Sequence, residues 1–124
     1  MIAVVTGASQ GIGRAIAEAF SERDGAKVAL VARTRSTLER TADACRAHGG
    51  TPLVVPADVT DDGAVANMAA AVHDEWGPPD VLVNNAGMFE YAPVSELTVD
   101  GFRDQIDVNL TSAFAVTTAF LPAM

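Results

Sequence analysis

TGASQGIG, residues 6–13, lies between a short β-rich run, IAVV at 2–5, and a helix-spaced apolar series, Ile12, Ile16 and Phe20. A glycine turn joining a strand to a helix lets backbone N–H groups approach an anion closely, and the helix N-terminus adds partial positive charge. Gly7 suits the tight turn, while Gly11 and Gly13 suit close approach of backbone, ligand and neighbouring strand. The alternative is a plain strand-to-helix turn that holds nothing.

Outward from that loop, two residue periods alternate. KVALVA (27–32) is a continuous apolar strand, and Leu38, Ala42 and Cys45 then mark a helix face that Gly49 and Gly50 end. TPLVVPA (51–57) predicts a third strand, and Thr60 caps a helix whose stripe is Val65, Met68, Val72 and Trp76. WGPP (76–79) breaks that helix, and DVLVNN (80–85) predicts a fourth strand. Residues 99–121 predict one long helix through Phe102, Ile106, Leu110, Phe114 and Leu121. The order βαβαβαβα with unbroken apolar strands means an α/β fold, a doubly wound parallel sheet covered on both faces.

Composition narrows the partners. About half the residues are apolar, enough for a core. A formal net charge of −8 argues against nucleic acid and against docking on an anionic membrane. No apolar stretch approaches the ~20 residues of a membrane span, and the N-terminus lacks the pattern of a signal peptide. Cys45 is the only cysteine, which suits a reducing cytoplasm and, on its helix stripe, an inert core thiol. His48 and His73 stand near helix ends and form no metal-ligand set, so no metal is expected.

The spacing at 6–13 is Thr-Gly-x-x-x-Gly-x-Gly, and Asn84-Asn85-Ala86-Gly87 closes the fourth strand. Together with Asp58-Val59 after the third strand and Val108-Asn109-Leu110 in the long helix, these motifs resemble the short-chain dehydrogenase/reductase family over essentially the whole chain. The resemblance implies a Rossmann-type dinucleotide-binding domain over residues 1–124 and hydride transfer between nicotinamide and a carbonyl or alcohol carbon of a small molecule. It also implies that Gly7, Ser9, Gln10, Gly11, Ile12 and Gly13 cradle the pyrophosphate and nearby ribose. Asp58 and Val59 would flank adenine, and Asn85, Ala86 and Gly87 would contact the cofactor. Two alternatives stay open: Asp58 orders only the turn before Thr60, and the NNAG stretch only braces the sheet.

The second strand ends in VALVARTR, with Arg33 where an acidic residue would favour NAD. A guanidinium forms a planar fork of donors suited to a 2′-phosphate, so NADP(H) is expected over NAD(H). The alternative is a solvated arginine at a helix start. Many NADP-preferring relatives carry a basic residue just before the second loop glycine, where this chain has neutral Gln10.

Asn109 sits in an otherwise apolar helix segment, where asparagine is a poor helix former and needs partners if buried. The resemblance makes it the asparagine of a Ser–Tyr–Lys–Asn set, holding a water in a proton relay; the alternative is a satisfied core amide. The family's Tyr-x-x-x-Lys pair is absent, since the only tyrosine is Tyr91 and the only lysine Lys27. TAFLPAM (118–124) ends with a helix pattern running and no strand after it. The expectation is therefore the N-terminal half of such an oxidoreductase, incomplete at its C-terminus and homo-oligomeric. The rivals are a non-catalytic dinucleotide-binding module and a truncated product without activity.

Overall fold

The computed structural model describes residues 1–124. Four strands form one parallel sheet: β1 (Ile2–Thr6), β2 (Lys27–Ala32), β3 (Thr51–Pro56) and β4 (Val81–Val83). Three helices separate them: α1 (Gly11–Ser21), α2 (Arg35–Ala47) and α3 (Asp62–Trp76). The strand order is β3-β2-β1-β4. The chain thus winds outward from β1 to β3, then crosses to the other side of β1 for β4. This is the doubly wound parallel sheet expected from the alternating pattern, and the Rossmann-type arrangement that the family resemblance implies.

Strand alternation sorts the core into two layers. Val4, Ala29 and Val31 face one side, against Val65, Met68 and Val72 of α3. Val5, Val28 and Leu30 face the other, against Ala17 of α1 and Leu38, Ala42 and Cys45 of α2. Each fully buried Val, Leu or Met contributes about 1.5–3 kcal/mol. The ion pairs, such as Arg35–Glu39 and Arg103–Asp100, lie in solvent, where such pairs contribute about 0–1 kcal/mol. Apolar burial, and not surface charge, holds the fold.

The structure changes several local expectations. The large residues of α1 do not form its buried face: Ile12 is 74% exposed, and Gly13, Ala17 and Ser21 are buried instead. α1 lies so close to the sheet that small residues must face it, leaving Ile16 and Phe20 on the flanks. The cap of α3 is Asp61, whose carboxylate accepts from Ala64 N at 2.7 Å. Thr60 is taken up by Asp58, whose Oδ1 accepts from both its N–H and its hydroxyl. The fourth ladder is shorter than DVLVNN, because Asn84 and Asn85 leave the sheet for side-chain partners. Pro52 and Pro56 are tolerated because β3 is an edge strand.

The long helix is interrupted. It runs as α4 (Val99–Ile106), a π-helical segment (Asp107–Thr111) and α5 (Ser112–Phe120). Ser112, Val116 and Phe120 turn toward the core. The expected stripe points outward: Phe102, Ile106, Leu110, Phe114 and Leu121 are all exposed, while Phe120 is buried.

Candidate functional site

The chain reverses direction across β1, and there the carboxyl ends of the strands open into a cleft of about 510 Å³. Clefts at such a switch point are where open α/β sheets hold ligands. Gly7, Ser9, Gln10, Gly11, Ile12 and Gly13 form one wall, Arg33 with Asp58 and Val59 another, and Asn85, Ala86 and Gly87 a third. Every residue expected at a cofactor therefore lines this one cleft.

The glycine loop is built for two different reasons. Gly7 and Gly11 have φ of +66° and +55°, in the left-handed region. No atom lies within 4 Å of a Cβ built on Gly11, so its backbone faces open space. A Cβ on Gly13 would collide with the Gly7 carbonyl and the Asn85 side-chain nitrogen. Gly13 is thus a packing glycine that lets α1 meet the loop.

The end of α1 is electrostatically open. Gln10 at its N-cap makes no side-chain cap bond, and no acidic residue stands in the first turn. By contrast, α3 is closed by the Asp61 carboxylate and carries Asp62 in its first turn. Unsatisfied N–H groups and the helix dipole at α1 favour an anion. Arg33 adds an exposed positive charge to the cleft wall and enters no ion pair within the chain. These features fit a dinucleotide: open space and an uncapped helix end at the glycine turn, and a separate cation at the end of β2.

Thr6 joins the two halves of the site, and the sequence reading gave it no role. Its buried Oγ1 accepts from Asn85 N at 3.0 Å and Ala86 N at 2.9 Å, and donates to Val83 O at 3.3 Å. The Asn85 side chain returns the tie, donating to Thr6 O at 3.0 Å and Gly7 O at 3.4 Å. The signal in the sequence was a hydroxyl at the end of an apolar strand, which needs partners when buried. Asn84 donates to Thr117 Oγ1 at 2.9 Å and so ties β4 to α5.

Asp58 both lines the cleft and orders its turn. The Thr60 hydroxyl and N–H, and then the nearby Arg33 charge, hold its carboxyl below the ordinary value, against the opposing effect of burial. Asn109 lies outside the main cleft. It borders an adjoining hollow of about 440 Å³ with Phe89, Tyr91, Phe102 and Ile106, while its neighbour Val108 lines the cleft. The Asn109 amide is exposed and bonded to Met88 backbone, so it is not a core amide. Lys27 Nζ sits 5.8 Å over the Trp76 ring at the amino end of β2, and Tyr91 is 89% exposed, so neither enters the cleft.

The chain matches the family described as short chain dehydrogenase over residues 1–124. It is 37% identical over 118 residues to an uncharacterized oxidoreductase of Methylorubrum extorquens, covering 95% of this chain and 48% of the relative. An alcohol dehydrogenase from the archaeon Thermococcus sibiricus, solved with 5-hydroxy-NADP, superposes with TM-score 0.92 at 36% identity, over 98% of this chain and 52% of that one. L-Sorbose reductase from Gluconobacter frateurii, solved with NADPH and L-sorbose, gives TM-score 0.92 at 32% identity, over 99% of this chain and 47% of that one. The chain spans about half the length of the curated relatives it matches.

Proposed function

Because the chain belongs to the short-chain dehydrogenase/reductase family, we propose that residues 1–124 are the dinucleotide-binding domain of an NADP(H)-dependent oxidoreductase. The nicotinamide, when bound, supplies the hydride chemistry on a small carbonyl or alcohol compound. The chain's own residues bind and orient. Backbone N–H groups of Ser9, Gln10, Gly11, Ile12 and Gly13 hold the pyrophosphate, and Gly7 gives the turn that aims them. Asp58 and Val59 flank adenine; Asn85, Ala86 and Gly87 form the floor toward the nicotinamide ribose. Asn109 fixes the Met88 segment from the helix and positions a water for proton transfer.

One observation carries the cofactor preference: Arg33 stands on the cleft wall at the end of β2, free of any ion pair. The NADP-type ligands in the Thermococcus and Gluconobacter proteins support it. A bidentate guanidinium–phosphate contact is worth about 1.5–3 kcal/mol, roughly 10- to 100-fold in affinity. Arg33→Ala should therefore weaken NADPH by that factor and leave NADH within about twofold. Unchanged NADPH affinity would remove the assignment.

A second reading, a dinucleotide-binding module without turnover, draws on the position of Tyr91 and Lys27 away from the cleft. Binding without oxidation of NADPH across a panel of carbonyl compounds would favour it. Cytoplasmic location and homo-oligomerisation complete the proposal; the outward stripe on α4 and α5 is the surface an assembly would cover.

A further inference from the structure

Most hydrogen-bonded hydroxyls inside the helices donate to a carbonyl three or four residues back, as Thr37 and Thr118 do to those of Thr34 and Ala115. Ser21, Ser112 and Thr117 each donate to the carbonyl four residues back, those of Ala17, Val108 and Ala113. Thr41, in the middle of α2 and fully buried, departs from this. Its hydroxyl donates to the Ala8 carbonyl, 3.0 Å away and 33 residues earlier in the chain.

Ala8 is itself fully buried, and its N–H donates to Val31 O of β2 at 3.1 Å. No backbone N–H reaches the Ala8 carbonyl, so Thr41 supplies its hydrogen bond. The middle of the glycine loop is thus fixed on both sides by the β2–α2 unit, the same unit that carries Arg33. Gly7 and Gly11, flanking this point, give the loop wide backbone freedom, so an external tie has something to restrain. Ser9, directly after Ala8, lines the cleft, whereas Thr41 does not.

We propose that Thr41 is a positioning residue for the phosphate-facing loop, acting through the Ala8 carbonyl to hold the loop in register with Arg33. The proposal rests on the reading of the cleft as an NADP(H) site. It has a consequence that a general structural role lacks. A ligand with a pyrophosphate needs the loop and Arg33 together, whereas adenosine 2′-monophosphate needs only the Arg33 and Asp58 end. Losing the latch should weaken the first and spare the second.

The test compares the wild-type chain with Thr41→Val, which keeps the shape and removes the hydroxyl, and Thr41→Ser, which keeps the hydroxyl. Calorimetric titration with NADP⁺ and with adenosine 2′-monophosphate is paired with hydrogen exchange of the loop amides. Thr41→Val should weaken NADP⁺ about tenfold, leave adenosine 2′-monophosphate within about twofold and speed exchange at Ser9 and Gly11. Thr41→Ser should restore all three. Wild-type NADP⁺ affinity in Thr41→Val, or equal loss of both ligands, would overturn the proposal. A wild-type chain that binds neither ligand would overturn the cofactor reading instead; unaltered loop exchange in Thr41→Val would then still overturn the latch.

Discussion

Asn109 holds the backbone of Met88 on both sides: its Nδ2 donates to the Met88 carbonyl at 2.7 Å, and the Met88 N–H donates to its Oδ1 at 2.9 Å. The contact spans 21 residues and falls where the long helix adopts its π-helical turn. Such turns inside a helix commonly mark functional sites, because the extra residue re-aims a side chain. Gly87 permits the arrangement, since a Cβ there would stand 2.8 Å from Asn109 Oδ1.

Replacing Asn109 by Ala removes both bonds. The expected cost is about 1–2 kcal/mol, the sum of two partly solvated hydrogen bonds. A urea midpoint and the exchange rate of the Met88 amide would measure it. Unchanged protection at Met88 would show that the helix, and not this side chain, orders the segment.

The glycines of the loop should differ in cost. Gly13→Ala places a methyl group against the Gly7 carbonyl and Asn85, and backbone there has little room to yield, so about 3 kcal/mol is expected. Gly11→Ala meets no neighbour and pays only for its left-handed backbone, about 1–2 kcal/mol. Chemical denaturation of the two variants would rank them. Equal losses would contradict the assignment of packing to one and conformation to the other.

Asp58 should give the fold a pH-dependent contribution. Hydrogen bonds from Thr60, then the Arg33 charge, depress its folded pKa below the ordinary 3.8. A depressed acid stabilises the fold above its unfolded pKa and loses that stabilisation as pH falls through the folded value. Asp58→Asn should be less stable than wild type at neutral pH, with the gap closing as pH falls below the ordinary carboxylate value and through the depressed folded one. A gap that stays constant down to acid pH would mean the charge contributes nothing.

Much of this was legible because it is local. The strands are continuous apolar runs and the glycine loop is a short motif; β1, β2 and β3 fall on their runs, and β4 falls inside its run but is shorter. What was not legible depends on distance or on competition. The buried face of α1 is Gly13, Ala17 and Ser21, chosen by close approach to the sheet and hidden from a reading that follows large apolar residues. Thr60 reads as the cap in sequence, but Asp58 takes its N–H and hydroxyl, and Asp61 caps α3 instead. The π turn at Asn109 and the roles of Thr6 and Thr41 depend on partners tens of residues away, which no local period reveals.

The most direct test of the central claim is calorimetric titration of the wild-type chain with NADPH and with NADH under the same conditions. Saturable NADPH binding, with NADH weaker by about tenfold or more, is the predicted result. Equal affinities would contradict the assignment of Arg33 to a 2′-phosphate, and no binding of either would contradict the reading of the cleft as a dinucleotide site.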